Sequence, residues 1–569
     1  METTIPLIAD FIIAGGGAAG CIVAGHLAEA HPDLDILLIE AGPDNRDKPN
    51  VTIPSLFITN LDPGSKVQKF YDAKTNSKLA DRAMPIMSSQ ILGGGSSINF
   101  MMYSRPLASD FDAWKTDGWG AQDMIPLFKD LENYCEGEHG VGRDTHGHTG
   151  PLKVSHGGGF VGHQAEVEKW LKASAIAGMN IVPDAQDFKT TNGISAMPSW
   201  VDAQKGRRSD PAHYILHPLL DNRSTGLKVL PDQTVNRVLF NSRKRAIGVE
   251  LVSSTIILAR KQVVLSSGTL NTPQILERSG IGSQKRLREL HIPLVFNNNA
   301  VGESYMDHQL LLVSYMSKTD PTKTLDALWQ GRHSLDQMSA GGTGIAGWTG
   351  VLIGGKINPT ASELEAMDPE FQQVYKEDYE ALQRPVAFFA GGCSLVSPYV
   401  STAPPGQYFT FALATSYGRS RGYIHTLGNP LVNGPEFDTG FFSDPSDIKI
   451  LAWTYKKTRE IARRMEDYNG AFLPTHPKFS KYSRASFELD DSYLKGVGSD
   501  KTKIKDVVYT KDDDEAIESF LRQSVSTMWH SAGTCAMKPL EEGGVVDKDL
   551  NVHGVYGLKI AGNDLLPRS

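Results

Sequence analysis

The chain has 569 residues, 40% hydrophobic and 21% charged, an ordinary globular balance with apolar material for a large core; at about 150 residues per domain it predicts three to four domain-sized masses, or fewer and larger ones. Lys+Arg 57 against Asp+Glu 65 leaves a net charge of −8, which gives no broad footprint for nucleic acid or anionic lipid. Four scattered cysteines, Cys21, Cys135, Cys393 and Cys535, argue against a disulfide scaffold or a zinc ribbon.

The first informative stretch, Phe11 to Gly25, carries no charge. A secretory signal needs a basic start, but Glu2 and Asp10 precede this run. Glycines interrupt it and His26 closes it, so it is too short and broken for a membrane span. It reads instead as a buried strand, Asp10–Ala14, running into a helix, Ala18–Ala30, with a second strand at Asp35–Ile39. Between strand and helix lies G-x-G-x-x-G at Gly15, Gly17 and Gly20. Gly15 suits the tight turn, Gly17 close approach to a pyrophosphate, and Gly20 helix–strand packing. Glu40 follows the second strand, placed to accept from a ribose and to repel a 2′-phosphate. Strand, glycine triplet, helix, strand and acid together predict dinucleotide binding, and both FAD and NAD use that arrangement.

Two further runs stand out. Ile91 to Tyr103 (ILGGGSSINFMMY) has a glycine–serine loop whose amides can line an anion or ring edge; a plain flexible loop is the structural alternative. Ser266 to Gly282 joins the strand Val263–Leu265 to a helix expected from about Pro273, with Thr272 as N-cap and Gly280 as stop.

Taken together these runs resemble the glucose–methanol–choline (GMC) oxidoreductases. Leu92–Asn99 is similar to the first family signature, Gly268–Gly282 to the second, and Val301–His308 to the segment after it. GGGSSINFMMYSR, GRRSDPAHY (206–214) and WTYKKTREIARRM (453–465) look closest to the yeast methanol-oxidase branch. The resemblance implies an α/β architecture: a Rossmann-like FAD domain interleaved with a substrate-binding domain on a mixed or antiparallel sheet with helices. The FAD domain is expected from 1–155, 225–315 and 510–569, and the substrate cap from 156–224 and 316–509.

The resemblance also implies roles. Gly15, Gly17, Gly20 and Glu40 match the adenosine-diphosphate site, and Gly94, Ser96, Ser97 and Asn99 the loop along the flavin. Val235 matches the strand whose backbone meets the adenine edge. Some relatives carry a flavin-linking histidine where Ile98 stands, so the FAD is expected to be non-covalent. His530, in MWHSAGTC, matches the active-site segment and is the expected general base, since an alcohol must lose its hydroxyl proton as hydride leaves carbon. Asp307 and His308 read as structural. His139, His146 and His148 lack regular ligand spacing, so no metal site is expected.

Elsewhere, 362–384 looks helical, Tyr408–Leu413 strand-like, and Ala340–Gly344 a loop without the Lys-Ser/Thr of a phosphate cradle. The match weakens at the end. After Ile560–Ala561, where relatives place an aspartate, this chain reads GNDLLPRS, with Asp564 three residues late. It stops 39 residues past His530, short of the second active-site His or Asn and the helix that follows. This reads as a truncated C-terminus that leaves His530 without its partner and exposes apolar surface such as Ile560.

The expected function is FAD-dependent oxidation of the CH–OH group of a small-molecule alcohol, with oxygen or another acceptor taking the electrons. The alternative is a catalytically impaired homologue acting as a binding or scaffold protein, and a nicotinamide enzyme comes third. No nucleic-acid or membrane partner is expected, and a homo-oligomer is compatible. Pro567-Arg568-Ser569 is not a convincing peroxisomal address, so a cytoplasmic, non-secreted protein is expected, with a peroxisomal location in keeping with the family.

Overall fold

A computed structural model describes residues 7–135, 144–222, 225–429 and 433–566. The chain opens with β1 (Ile8–Ala14), α1 (Ala18–Ala30) and β2 (Ile36–Ile39). Isoleucine and leucine side chains bury β2 throughout and β1 over its last three residues, Ile12–Ala14, as a parallel sheet covered on two faces requires. Further on come β3 (Val235–Phe240), β4 (Ile256–Leu265), α2 (Gly268–Arg278), β5 (Gln309–Ser317) and β6 (Leu558–Ile560).

The first seven-stranded sheet runs in the order Leu227–Leu230, β2, β1, β4, Ala246–Leu251, β3, with β6 also against β4. Its centre is parallel, and Ala246–Leu251 and β3 are antiparallel to their neighbours. Ala14 pairs with Ile39 and with Leu265, and Leu265 with Ile560. The carboxyl ends of four parallel strands therefore lie level. Gly15, Glu40, Ser266 and Ala561 follow them side by side, along the edge where ligands of such sheets bind.

A second seven-stranded sheet is antiparallel throughout, in the order Tyr468–Ala471, β5, Gln407–Thr415, Ala387–Cys393, Val351–Ile357, Gly193–Ala196, with Ser526–Thr527 on β5. The helix Pro445–Arg464 packs on it and shares its core, the largest apolar cluster of the molecule. Residues 309–315 and 526–527, expected in the first domain, pair here in the second sheet, because β5 runs straight on from Asp307–His308.

Three local expectations change. The second-signature helix begins at Gly268, not near Pro273, and Pro273 lies inside it. Residues 362–384 are not one helix: Ala361–Glu365 ends before Pro369, which opens Pro369–Val374, followed by a π-helical turn at Tyr375–Glu380. Ile560 is fully buried rather than exposed, because β6 pairs with β4 and residues 563–565 fold back onto 533–537. Among the described residues, no helix is long and apolar enough to cross a membrane.

Candidate active site

At the level strand ends the backbone crowds in a way that only glycine allows. Gly15 has φ +107°, and a Cβ there would lie 2.3 Å from the Ser266 carbonyl oxygen. Gly94 has φ +58°, and its Cβ would lie 2.6 Å from Gly17 Cα. The glycine loop of α1 and the 93–98 loop are thus in backbone contact, joined also by Gly93 N–H to the Gly16 carbonyl at 2.7 Å. Gly17 is the N-cap of α1 with no side-chain cap, and Gly20 is buried in the first turn. The first amides of a 13-residue helix are left open to an acceptor.

Glu40 is buried; its Oε2 accepts from Gly16 N–H at 2.7 Å and its Oε1 from Gly42 N–H at 2.8 Å. Burial pushes this carboxyl up to about 7 against those amides. Each oxygen keeps a second lone pair for a hydroxyl donor. Gln233 N–H donates to the Glu40 carbonyl at 2.9 Å, which brings Val235, at the start of the edge strand β3, beside the same strand end.

The 93–99 loop is braced from behind. Ser96 Oγ donates to the Gly93 carbonyl at 2.6 Å. Ser97 is buried, donating to the Leu92 carbonyl and accepting from Asn45, both at 2.8 Å, so its hydroxyl serves the loop. Ile98 packs with Val51, Val67 and Ile91. Asn99 is exposed; its Oδ1 accepts from Arg208 Nη1 at 2.7 Å and from Met101 N–H at 3.0 Å, leaving the amide nitrogen to offer. Arg208 is buried beneath the loop and also donates to the carbonyls of Val51 and Ser96, at 2.7 and 3.1 Å. Burial holds its guanidinium down, at about 10.

His530 arrives on the far side of this loop. Thr269, in the first turn of α2, donates to the Ser531 carbonyl at 2.8 Å, and Thr534 donates to the Thr269 carbonyl at 2.7 Å. Phe100 meets Trp529 with ring centroids 5.5 Å apart. On either side of that contact, Met101 and Trp529 have φ +58° and +60°, non-glycine left-handed backbone that costs about 1–3 kcal/mol each and concentrates at functional sites. Asp307 fixes the approach: it accepts from His530 N–H at 3.0 Å, Thr527 Oγ1 at 2.5 Å and Tyr305 at 3.3 Å. Burial nonetheless pushes its carboxyl up to about 6.

The His530 ring is not alone. Its Nδ1 lies 2.8 Å from Nδ1 of His308. The ring is open to solvent, yet enough protein surrounds it to push its imidazole down to about 4; both hold for a side chain at the bottom of a recess. Burial, with His530 beside it, takes His308 down to about 3.

Models of the GMC oxidoreductase family match residues 9–310 and 418–569. The chain belongs to the GMC oxidoreductases. It is 35% identical to an alcohol oxidase of Candida boidinii and 33% identical to one of Pichia angusta, in each case over 99% of this chain and 92% of the relative. A crystal structure of formate oxidase superposes with a TM-score of 0.83 at 20% identity, over 99% of this chain and 95% of that one.

The residues present fit the dinucleotide cofactor of this family. The cradle has no room for a side chain at Gly15, Gly20 or Gly94, the α1 amides are uncapped, and a buried carboxylate stands where hydroxyl donors would relieve it. Asp564 lies in the short turn Asn563–Leu565 after β6, with neither carboxylate oxygen hydrogen-bonded, and the buried Thr272 hydroxyl is also without a partner. His146 is bound to Tyr103 and Asp184 at 3.0 Å each, His148 to the Tyr134 carbonyl, and His139 lies outside the described residues. Among the described residues, no cluster of His, Cys, Asp or Glu could hold a metal.

Sequence reasoning missed two residues. Arg208 lies within GRRSDPAHY, a segment noted only for its likeness to relatives, and its task becomes visible only when Ser96 and Asn99 fold over it. His308 read as structural because its partner stands 222 positions away.

Proposed function

We propose that this protein is an alcohol oxidase-like enzyme that oxidises the CH–OH group of an alcohol, with His530 as the general base and FAD held non-covalently in the glycine cradle. The cofactor, when bound, supplies the acceptor for the hydride. His530 takes the hydroxyl proton, so the alcohol leaves as a carbonyl compound, having lost one proton and one hydride. Oxygen is the electron acceptor, and small primary alcohols the substrate class, that the alcohol oxidase relatives support. Ile98, packed among aliphatic side chains, offers no nucleophile for a flavin bond. The two sheets divide the work: the first supports the cradle, and the second, through β5 and Ser526–Thr527, supports the His530 segment.

One observation carries this reading. The loop bearing Gly94 and Phe100, the first turn of α2 and the His530 segment meet through the Phe100–Trp529 and Thr269–Ser531 contacts. These contacts support a neutral imidazole beside the cradle, with a ring nitrogen to take a proton. The test is an anaerobic absorbance experiment on FAD-loaded protein. Primary alcohols should bleach the flavin bands, and His530→Ala should slow bleaching by about 10²-fold or more. Equal bleaching rates with and without the imidazole would remove His530 from the reaction, and no bleaching with any alcohol would remove the reaction itself.

A further inference from the structure

Resting on the reading that the 92–99 loop lies along FAD, we infer that Asn45 is a positioning residue for that loop. Its amide nitrogen is held toward Ser97 by a chain of hydrogen bonds that begins at Arg46.

Each link of the chain has a single direction. A guanidinium can only donate, and Arg46 Nε donates to His217 Nδ1 at 3.0 Å. That nitrogen is therefore bare, and the neutral ring carries its proton on Nε2. His217 Nε2 lies 2.8 Å from Asn45 Oδ1 and 3.4 Å from Asp44 Oδ1, and both oxygens accept from it. Asn45 thus turns its oxygen to His217 and its nitrogen the other way, where Ser97 Oγ accepts at 2.8 Å. The Ser97 proton is left for the Leu92 carbonyl, also at 2.8 Å.

The opposite end agrees. Asp210, within the GRRSDPAHY segment, has its Oδ1 3.4 Å from Asn45 Nδ2, and its Oδ2 accepts from His213 Nδ1 at 2.7 Å. A reversed carboxamide would set oxygen against the Asp210 carboxylate and N–H against the His217 N–H. Asn45, Ser97 and Asp210 are fully buried, so neither mismatch has water to relieve it. Arg46 reaches the surface, where it also pairs with Asp221 at 2.8 Å.

The chain ends in the loop itself. Leu92 N–H donates to the Pro43 carbonyl at 3.0 Å, two residues before Asn45. Gly93 has φ +82°, and a Cβ there would fall 2.1 Å from Ser97 Oγ and 3.2 Å from Asn45 Nδ2. The loop is therefore closed between the α1 glycine turn on one side and the Asn45 amide on the other. Arg208 braces Ser96 and Asn99; Asn45 braces Ser97.

Two measurements test this. A neutron structure of the full-length protein near pH 7 should show deuterium on His217 Nε2 and the Asn45 nitrogen facing Ser97; deuterium on His217 Nδ1 overturns the inference. In FAD titrations followed by flavin fluorescence, Asn45→Ala should raise the dissociation constant about tenfold or more. Asn45→Asp keeps the acceptor for His217 but loses the donor to Ser97, and should bind FAD no better than Asn45→Ala. His217→Leu should weaken binding about fivefold or more, and His217→Gln, whose amide can donate where Nε2 did, should return to within about threefold of the parent. The His217 pair carries the test if Asn45→Ala does not fold. Parent-like binding by Asn45→Asp, or a His217→Gln protein as weak as His217→Leu, also overturns the inference. A parent that binds no FAD defeats the cofactor reading instead, while the neutron result still reports the Asn45 orientation.

Discussion

Thr534 donates its hydroxyl to the Thr269 carbonyl at 2.7 Å, and that carbonyl is open because Pro273, four residues on, has no N–H to offer it. A helix defect and a side chain 265 positions away complete each other, and the bond ties the His530 segment to α2. Thr534→Val should leave the buried carbonyl unpaired and cost about 1–3 kcal/mol, read as a lower urea midpoint of the cofactor-loaded protein. In a Pro273→Ala background the helix supplies its own donor, and the same substitution should cost much less. Equal costs in the two backgrounds would contradict the partnership.

Arg208 predicts a cofactor phenotype without touching the recess. It is the sole charged group bonded to both Ser96 and Asn99 among the described residues. Arg208→Ala removes three donor contacts from the 51–99 region and should weaken FAD retention about 10- to 100-fold, equivalent to about 1.4–2.8 kcal/mol. Arg208→Lys keeps the charge but not the fork, and should fall between. Flavin absorbance retained after exhaustive dialysis reads both.

Much of the fold was legible where neighbours in sequence are neighbours in space. The helix Ala18–Ala30 occurs as expected and the following strand begins one residue late, at Ile36, because the glycine turn and apolar runs act locally. Pro273 misled because proline at a first helical turn is the common case, and only the Thr534 bond reveals why an interior position is tolerated. Asp307 and His308 could not be read from the chain at all. Their partners are Thr527 and His530, which lie more than 200 positions further along the chain.

The pH dependence of stability follows from imidazoles held low by the protein packed around them. His308 and His530 are held at about 3 and about 4, and His163, His217 and His476 at about 4, 4 and 3. All lie below the unfolded value of about 6.5, so the unfolded chain binds more protons as pH falls. Their contribution is complete above about 6.5 and is lost as pH drops through 4 and 3. Asp307, raised to about 6, works the other way: its contribution is present below the ordinary carboxylate range and lost as pH rises through 6. The melting temperature should therefore fall between pH 6.5 and 4, and His308→Gln should make that fall shallower than in the parent. An unchanged slope would contradict the burial of His308 as a neutral ring.

Asp564 gives the last prediction. Its carboxylate is fully buried with no closed hydrogen bond, and burial raises it to about 6. Such a group stabilises the fold only while protonated, below about 3.8, and its contribution disappears as pH rises through 6. At pH 7.5 it is an uncompensated buried charge. Asp564→Asn removes that charge, keeps the shape, and gives Thr272 a neutral neighbour. Without bound cofactor, the variant should melt higher than the parent at pH 7.5 and at the same temperature at pH 4. A lower melting temperature at pH 7.5 would mean that the ionised carboxylate has a partner that holds it in place, and would return Asp564 to the set of residues that brace the end of β6.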